Sequence, residues 1–181
     1  MKKLDLTNVQ AAGERKRIPA GAYICMITDV QDFPDKEYLK ITYDIADGEY
    51  ANYYTEIRKE HPDWEWTGAY VKSYKTAALP MFKRFCSAVS KSNGKYIFDG
   101  GAINSDESTL KGKTIGLILR EEEYYSNSGE IRTRMIIHSE FAIDAIDSQK
   151  VPDVKKLKQE APAVPTDFMT IPEVSSDEIP F

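Results

Sequence analysis

YLKITYDIADGEYANYYTEIRK, residues 38–59, decides how the rest of the chain is read. Over 38–46 the side chains alternate, with Leu39, Ile41, Tyr43 and Ile45 on one side and Tyr38, Lys40 and Thr42 on the other. Strict alternation is the period of a half-buried strand, because successive side chains of extended backbone point to opposite faces. Asp47, Gly48 and Glu49 then read as a tight hairpin turn, Asp-Gly supplying the positive φ that short hairpin loops require. The tyrosine-rich stretch 50–59 follows as the returning strand, so this segment predicts strands two and three of a sheet.

Working outward, residues 18–21 (Ile-Pro-Ala-Gly) are a turn signal. They lead into a first strand over 22–30, with Tyr23, Cys25 and Ile27 on one face and Ile24 and Met26 on the other. A loop covers 31–37. Residues 60–75 form a connection dense in aromatic rings. Over 76–90, Leu79, Phe82, Phe85 (or Cys86) and Val89 recur at helical spacing, with Asn93-Gly94 as the stop. Residues 94–112 read as a loop with room for one short strand. A fourth strand over 113–125, a turn at 126–129 and an antiparallel partner over 130–143 complete the body. Three strands, one helix and two strands is the wiring of a mainly β, five-stranded Greek-key OB-fold barrel, with its helix between strands 3 and 4. The alternative is another small β-barrel or sandwich with an inserted helix.

The chain of 181 residues, 41% hydrophobic, is long enough to bury a core without staples. Residues 1–17 are polar, include Gly-Glu-Arg-Lys-Arg at 13–17, and read as a flexible arm. The barrel domain spans 18–149. Beyond it, 150–181 holds five of the nine prolines and no glycine, with a short polar helix candidate at 153–160. Such a stretch buries too little apolar surface to offset its ordering entropy, so it is expected to be a disordered linker and acidic tail. Net charge is −5, yet four of the 29 acids and none of the 24 bases lie after Glu160. The body is therefore nearly neutral and free to own a basic face.

Catalytic and metal signatures are missing. The two histidines, His61 and His138, belong to no cluster, the two cysteines form no Cys-x-x-Cys pair, and no Walker loop or Gly-x-Gly-x-x-Gly occurs. Cys25 and Cys86 are expected as free thiols, the first residues lack a signal-peptide core, and no run is long enough to span a membrane. The expectation is a cytoplasmic, non-enzymatic protein with no metal and no cofactor.

Binding residues are more plentiful. Single-stranded nucleic acid is held by cations along its phosphates and by rings on which bases stack. The outward side of strand two offers Tyr38 and Lys40, and the third supplies Tyr53 or Tyr54 with Arg58. The connection interleaves Trp64, Trp66, Tyr70, Lys72, Tyr74 and Lys75. In the last hairpin, Arg120, Arg132 and Arg134 fall in the register opposite Leu117, Leu119, Ile131, Met135 and Ile137, below a turn carrying Tyr124 and Tyr125. Against this, tyrosines commonly cap a core, and Glu121, Glu122 and Glu123 oppose phosphate.

The stretch Asp177, Glu178, Ile179, Pro180, Phe181 combines a dense negative point with an aromatic end, chemistry suited to an apolar partner site rimmed by Arg or Lys. It resembles the acidic tip of bacterial single-stranded-DNA-binding proteins, which end in acids followed by Ile-Pro-Phe or Leu-Pro-Phe. That resemblance implies an OB domain coating single-stranded DNA, a disordered linker, and a tip recruiting replication, recombination and repair proteins through residues 177–181. The chain lacks the usual glycine-rich linker of that family. Residues 18–56 are instead similar to phage and mobile-element proteins encoded near recombination genes, thought to be divergent single-strand binders. Homo-oligomerisation is left open by both resemblances. The competing expectation is a β-barrel adaptor that binds proteins without contacting nucleic acid.

Overall fold

The structure is a computed structural model, in which residues 17–64, 68–101 and 106–157 are described together with Lys3, Asp5 and Thr7. It is mainly β. Five strands, β1 (Gly21–Phe33), β2 (Tyr38–Ile45), β3 (Ala69–Ser73), β4 (Thr114–Tyr125) and β5 (Ile131–Phe141), form one antiparallel open sheet in the order β3-β2-β1-β4-β5. Among the described residues two α-helices accompany it, α1 (Tyr53–Glu60) and α2 (Leu79–Ser92), the second lying between β3 and β4 in the chain.

The alternation read in 38–46 holds. Leu39, Ile41, Tyr43 and Ile45 are buried while Lys40 is exposed, and Cys25 and Ile27 of β1 face the same core. Ile115, Leu117 and Leu119 of β4 complete the inner side of the sheet, all fully buried. Each such side chain contributes about 1.5–3 kcal/mol through the apolar surface it removes from water. On α2 the expected stripe is buried at Phe82, Phe85, Cys86 and Val89, but Leu79, in the first turn, is about half exposed. No strand forms in 93–101 or 106–112; a 3-10 turn at Glu107–Leu110 instead drops Leu110 into the core. Both cysteines are free and buried, and no described helix is long and apolar enough to cross a membrane.

The hairpin expected at 47–59 does not form. The chain turns through Gly48 and Asn52, both at positive φ, and residues 53–60 are helix α1. Asp44 is the physical cause. Its side chain is buried, and Oδ1 accepts from Tyr54 N (3.0 Å) and Ile45 N (2.8 Å) while Oδ2 accepts from Thr55 N (2.9 Å). The orphan N–H groups of the first helical turn are thereby satisfied by a carboxylate ten residues upstream. The third strand is Ala69–Ser73, inside the stretch expected to be an irregular connection.

Two further features bound the body. β3 and β5 are the edge strands, and Lys72 Nζ of one lies 2.6 Å from Glu140 Oε1 of the other, both residues buried. Residues 151–157, expected to belong to the linker, run beside β4 where β1 has ended. Lys155 N donates to Glu121 O and Glu123 N donates to Lys155 O, both at 2.9 Å, and Leu157 N donates to Glu123 Oε2 at 3.1 Å. Residues 153–157 are therefore not helical.

Candidate nucleic-acid interface

Helix α1 packs over one end of the sheet and leaves a cleft between itself and the β4–β5 hairpin. Tyr43 and Tyr54 anchor it: their rings meet edge to face at 5.4 Å and their hydroxyls lie 3.3 Å apart. Burial pushes the Tyr54 phenol up to about 12, and pushes Tyr43 further still. The cleft has a volume of about 420 Å³, within the roughly 300–1,000 Å³ of ordinary ligand sites. Tyr53, Tyr54, Ile57 and Trp64 wall it from the helix side, and Glu121, Thr133, Arg134 and Met135 from the hairpin; Arg17 and Ile18 close it from the chain entering β1. Trp64 is stacked on His61 with 4.0 Å between centroids and 11° between planes, and is 44% exposed. A ring held flat by a second ring, with its surface in water, suits a stacking platform.

The hairpin places its cations as the register requires. Tyr124 pairs with Arg132, Glu122 with Arg134 and Arg120 with Ile136 across the two strands, so all three guanidiniums share one face with the Tyr124 ring. Arg134 lies over that ring, Cζ to centroid 5.4 Å. Two of the three are not free charges. Arg134 donates to Glu122 Oε2 from Nε (3.0 Å) and from a terminal nitrogen (2.7 Å), and Arg132 pairs with Glu130 at 2.8 Å. Lys155 also pairs with Glu122. Hydrogen bonds from Lys155 and Arg134 hold the Glu122 carboxyl below its usual range. Arg120 Nε is buried without a hydrogen-bond partner among the described residues. Burial, with Arg120 and Arg84 near, lowers the His138 imidazole.

Of the residues expected to bind DNA, Tyr54, Trp64 and Arg134 line the cleft, whereas Arg120, Arg132 and Tyr124 lie on the outer face of the hairpin and Tyr125 is largely exposed at its end. Tyr54 is corrected in role: it is buried on a helix rather than displayed on a strand. Tyr70 and Lys72 are also corrected. Both face inward on β3, opposite Ile41 and Leu39, and Lys72 is consumed by Glu140. Burial carries the Tyr70 phenol well above its ordinary value. Tyr74 is turned away as well. Its hydroxyl donates to Asp32 Oδ1 at 2.8 Å in a second cleft that Asp99 and Glu107 also line, a surface hostile to phosphate. Burial and the Asp32 bond raise that phenol to about 12.

Tyr38 and Lys40 do lie on the outer face, Tyr38 stacked on Phe33 at 4.9 Å, but at the opposite end of β1 from the cleft. Arg58 is exposed in the last turn of α1. Trp66 and residues 177–181 lie outside the described residues. Arg17, Ile57 and Glu121 were missed as site residues. The apolar spacing Tyr50, Tyr53, Tyr54, Ile57, at i, i+3, i+4 and i+7, was the signal that would have found the helix carrying Tyr53 and Ile57. Among the described residues no group of three or more His, Cys, Asp or Glu is arranged to hold a metal ion. No protein-family model matches the chain, and no curated protein matches it.

Proposed function

We propose that this protein binds single-stranded DNA, tolerantly of sequence and without chemistry on it, by laying the strand through the cleft between α1 and the β4–β5 hairpin. The observation that carries the reading is the cleft itself: an open indole held flat on His61, in a cleft that Arg17 also lines. Bases stack on rings at about 1–3 kcal/mol each while cations follow the phosphates, which is enough for micromolar binding from a few contacts. Arg120, Arg132, Arg134 and Tyr124 share the outer face of the same hairpin, opposite the cleft-lining Glu121, Thr133 and Met135, and a strand leaving the cleft would meet them by passing round the hairpin. Phosphate would compete with Glu122 and Glu130 for Arg134 and Arg132.

The same proposal takes the sheet as a partly open OB barrel. Its strand order places β3 and β5 at the two edges, which is the pair a five-stranded Greek-key barrel of this wiring closes, and Lys72–Glu140 spans them. Residues 177–181 serve in the proposal as a recruiting segment for replication or recombination proteins, and the setting is cytoplasmic.

The test is a titration of fluorescent single strands and matched duplex at low and high salt. Tight binding to the single strand, weakening steeply as salt rises, is the expected result. Binding to duplex with none to single strand refutes the proposal. The adaptor reading is favoured by one observation, an apolar groove of about 690 Å³ along α2 lined by Leu79, Phe82, Cys86 and Phe98. A protein that captures partners but leaves single strands untouched would fit that reading instead.

A further inference from the structure

Three consecutive glutamates sit on β4, and they are not equivalent. Glu122 binds Arg134 and Lys155 on the outer face, and Glu123 accepts from Leu157 N. Glu121 lies on the inner side, paired across the sheet with Met135, and lines the cleft. Among the described residues its carboxylate accepts no hydrogen bond and forms no ion pair, although the side chain is half-buried beside Met135, Thr133 and the rings of α1. A partly desolvated carboxylate is favoured by donors that replace the water it has lost. The strand-binding reading provides nothing for it so far: phosphate would be repelled, and a stacked ring face offers no donor.

Base edges do offer donors. We infer that Glu121 reads the edge of the base held in this cleft, and that the subsite prefers guanine. Guanine presents N1–H and N2–H side by side, matching the two oxygens of one carboxylate in a charge-assisted, bidentate pair. Adenine and cytosine each present one amino group next to a ring nitrogen whose lone pair faces the carboxylate. Thymine presents a single N3–H between two carbonyl oxygens, the worst match. Guanine O6, next to N1–H, is also an acceptor for a guanidinium, and Arg17 lines the same cleft. The preference applies to one position along the strand and leaves neighbouring contacts indifferent to sequence.

This inference rests on the single-strand reading, and the experiment separates the two. The full-length protein is titrated at low salt with labelled oligo-dT strands that carry one central dG, dA, dC or dT. A good bidentate contact is worth roughly 5- to 150-fold between matched and mismatched bases. The single-dG strand is expected to bind tighter than all-dT by a factor in that range, with dA and dC between them. Glu121→Gln, checked by circular dichroism for retained fold, is expected to erase the dG preference while holding or raising affinity for all-dT, since a negative charge has been removed. Equal binding of the four strands by the parent protein overturns the inference and leaves the single-strand reading standing. A dG preference that survives in Glu121→Gln overturns it too. Failure to bind any of the strands overturns both.

Discussion

Replacing Lys72 by Met should destabilise the fold far more than loss of a surface ion pair would. Lys72 Nζ and Glu140 Oε1 are 2.6 Å apart, with side chains only 9% and 4% exposed. The ammonium also lies 6.0 Å from the Phe85 ring centre, so its surroundings are core. Exposed pairs contribute about 0–1 kcal/mol. Removing one partner of a buried pair costs about 3–5 kcal/mol, because the other charge is left without water or counter-charge. Typical domains are stable by about 5–15 kcal/mol, so this loss is about a fifth of the whole at the least. For a chain of this size it lowers the melting temperature by about 6–20 °C. Glu140→Leu is expected to do the same, and the double variant Lys72→Met/Glu140→Leu to recover most of the loss, since an apolar pair of similar volume is often neutral or better. Urea unfolding followed by circular dichroism measures all four corners of the cycle. Single variants within about 1 kcal/mol of the parent, or a double variant that loses the sum of the singles, would refute the idea that the two edge strands are locked through a dry contact.

Other outcomes follow from the same contacts. Asp44→Ala strips three backbone N–H groups of their acceptor and should cost about 2–4 kcal/mol with loss of helical signal from α1, while Asp44→Asn, which keeps one oxygen, costs less; an unchanged urea midpoint for the alanine variant would contradict the cap. Gly116→Ala drives a Cβ into the Phe141 ring, so about 1–3 kcal/mol should be lost by overpacking, and Phe141→Leu in the same chain should return part of it. The Glu122 carboxyl is held low in the folded protein by Lys155 and Arg134, so its contribution is present above the ordinary carboxylate pKa and lost as pH falls through the lowered one. Hydrogen-exchange protection of Lys155 N–H and Glu123 N–H should therefore fall in that acidic window, and Glu122→Gln should remove the pH dependence.

Much of the fold was legible because its strands carry a clean period of two and α2 a clean period of 3.6. The two misreadings have separate causes. Residues 50–59 read as a strand because tyrosine favours sheets and Asp-Gly favours hairpins, yet Tyr50, Tyr53, Tyr54 and Ile57 are spaced for a helix face, and Asp44 supplies the cap. Strand β3 escaped notice because it is five residues long and one of its two inward side chains is Lys72, whose burial makes sense only with Glu140, 68 residues away, in view. The candidate site was half legible. Simple alternation puts Arg120, Arg132 and Arg134 on one face, as the register has them, while Tyr124, expected at the turn, stands on β4 opposite Arg132. The pairing of Arg132 with Glu130 and of Arg134 with Glu122 depended on side-chain reach across and along the hairpin, which alternation within one strand does not reveal.

The central claim is that a single strand lies against Trp64. With Trp66→Phe in the full chain, Trp64 becomes the sole indole, and its emission can be followed during titration with a labelled single strand whose anisotropy is read in the same cuvette. The account predicts that emission quenches along the same curve as anisotropy rises, and that Trp64→Ala weakens binding by about 5- to 150-fold, the worth of one stacked base. Anisotropy that rises to saturation while Trp64 emission stays unchanged would put the strand elsewhere on the protein and contradict the account.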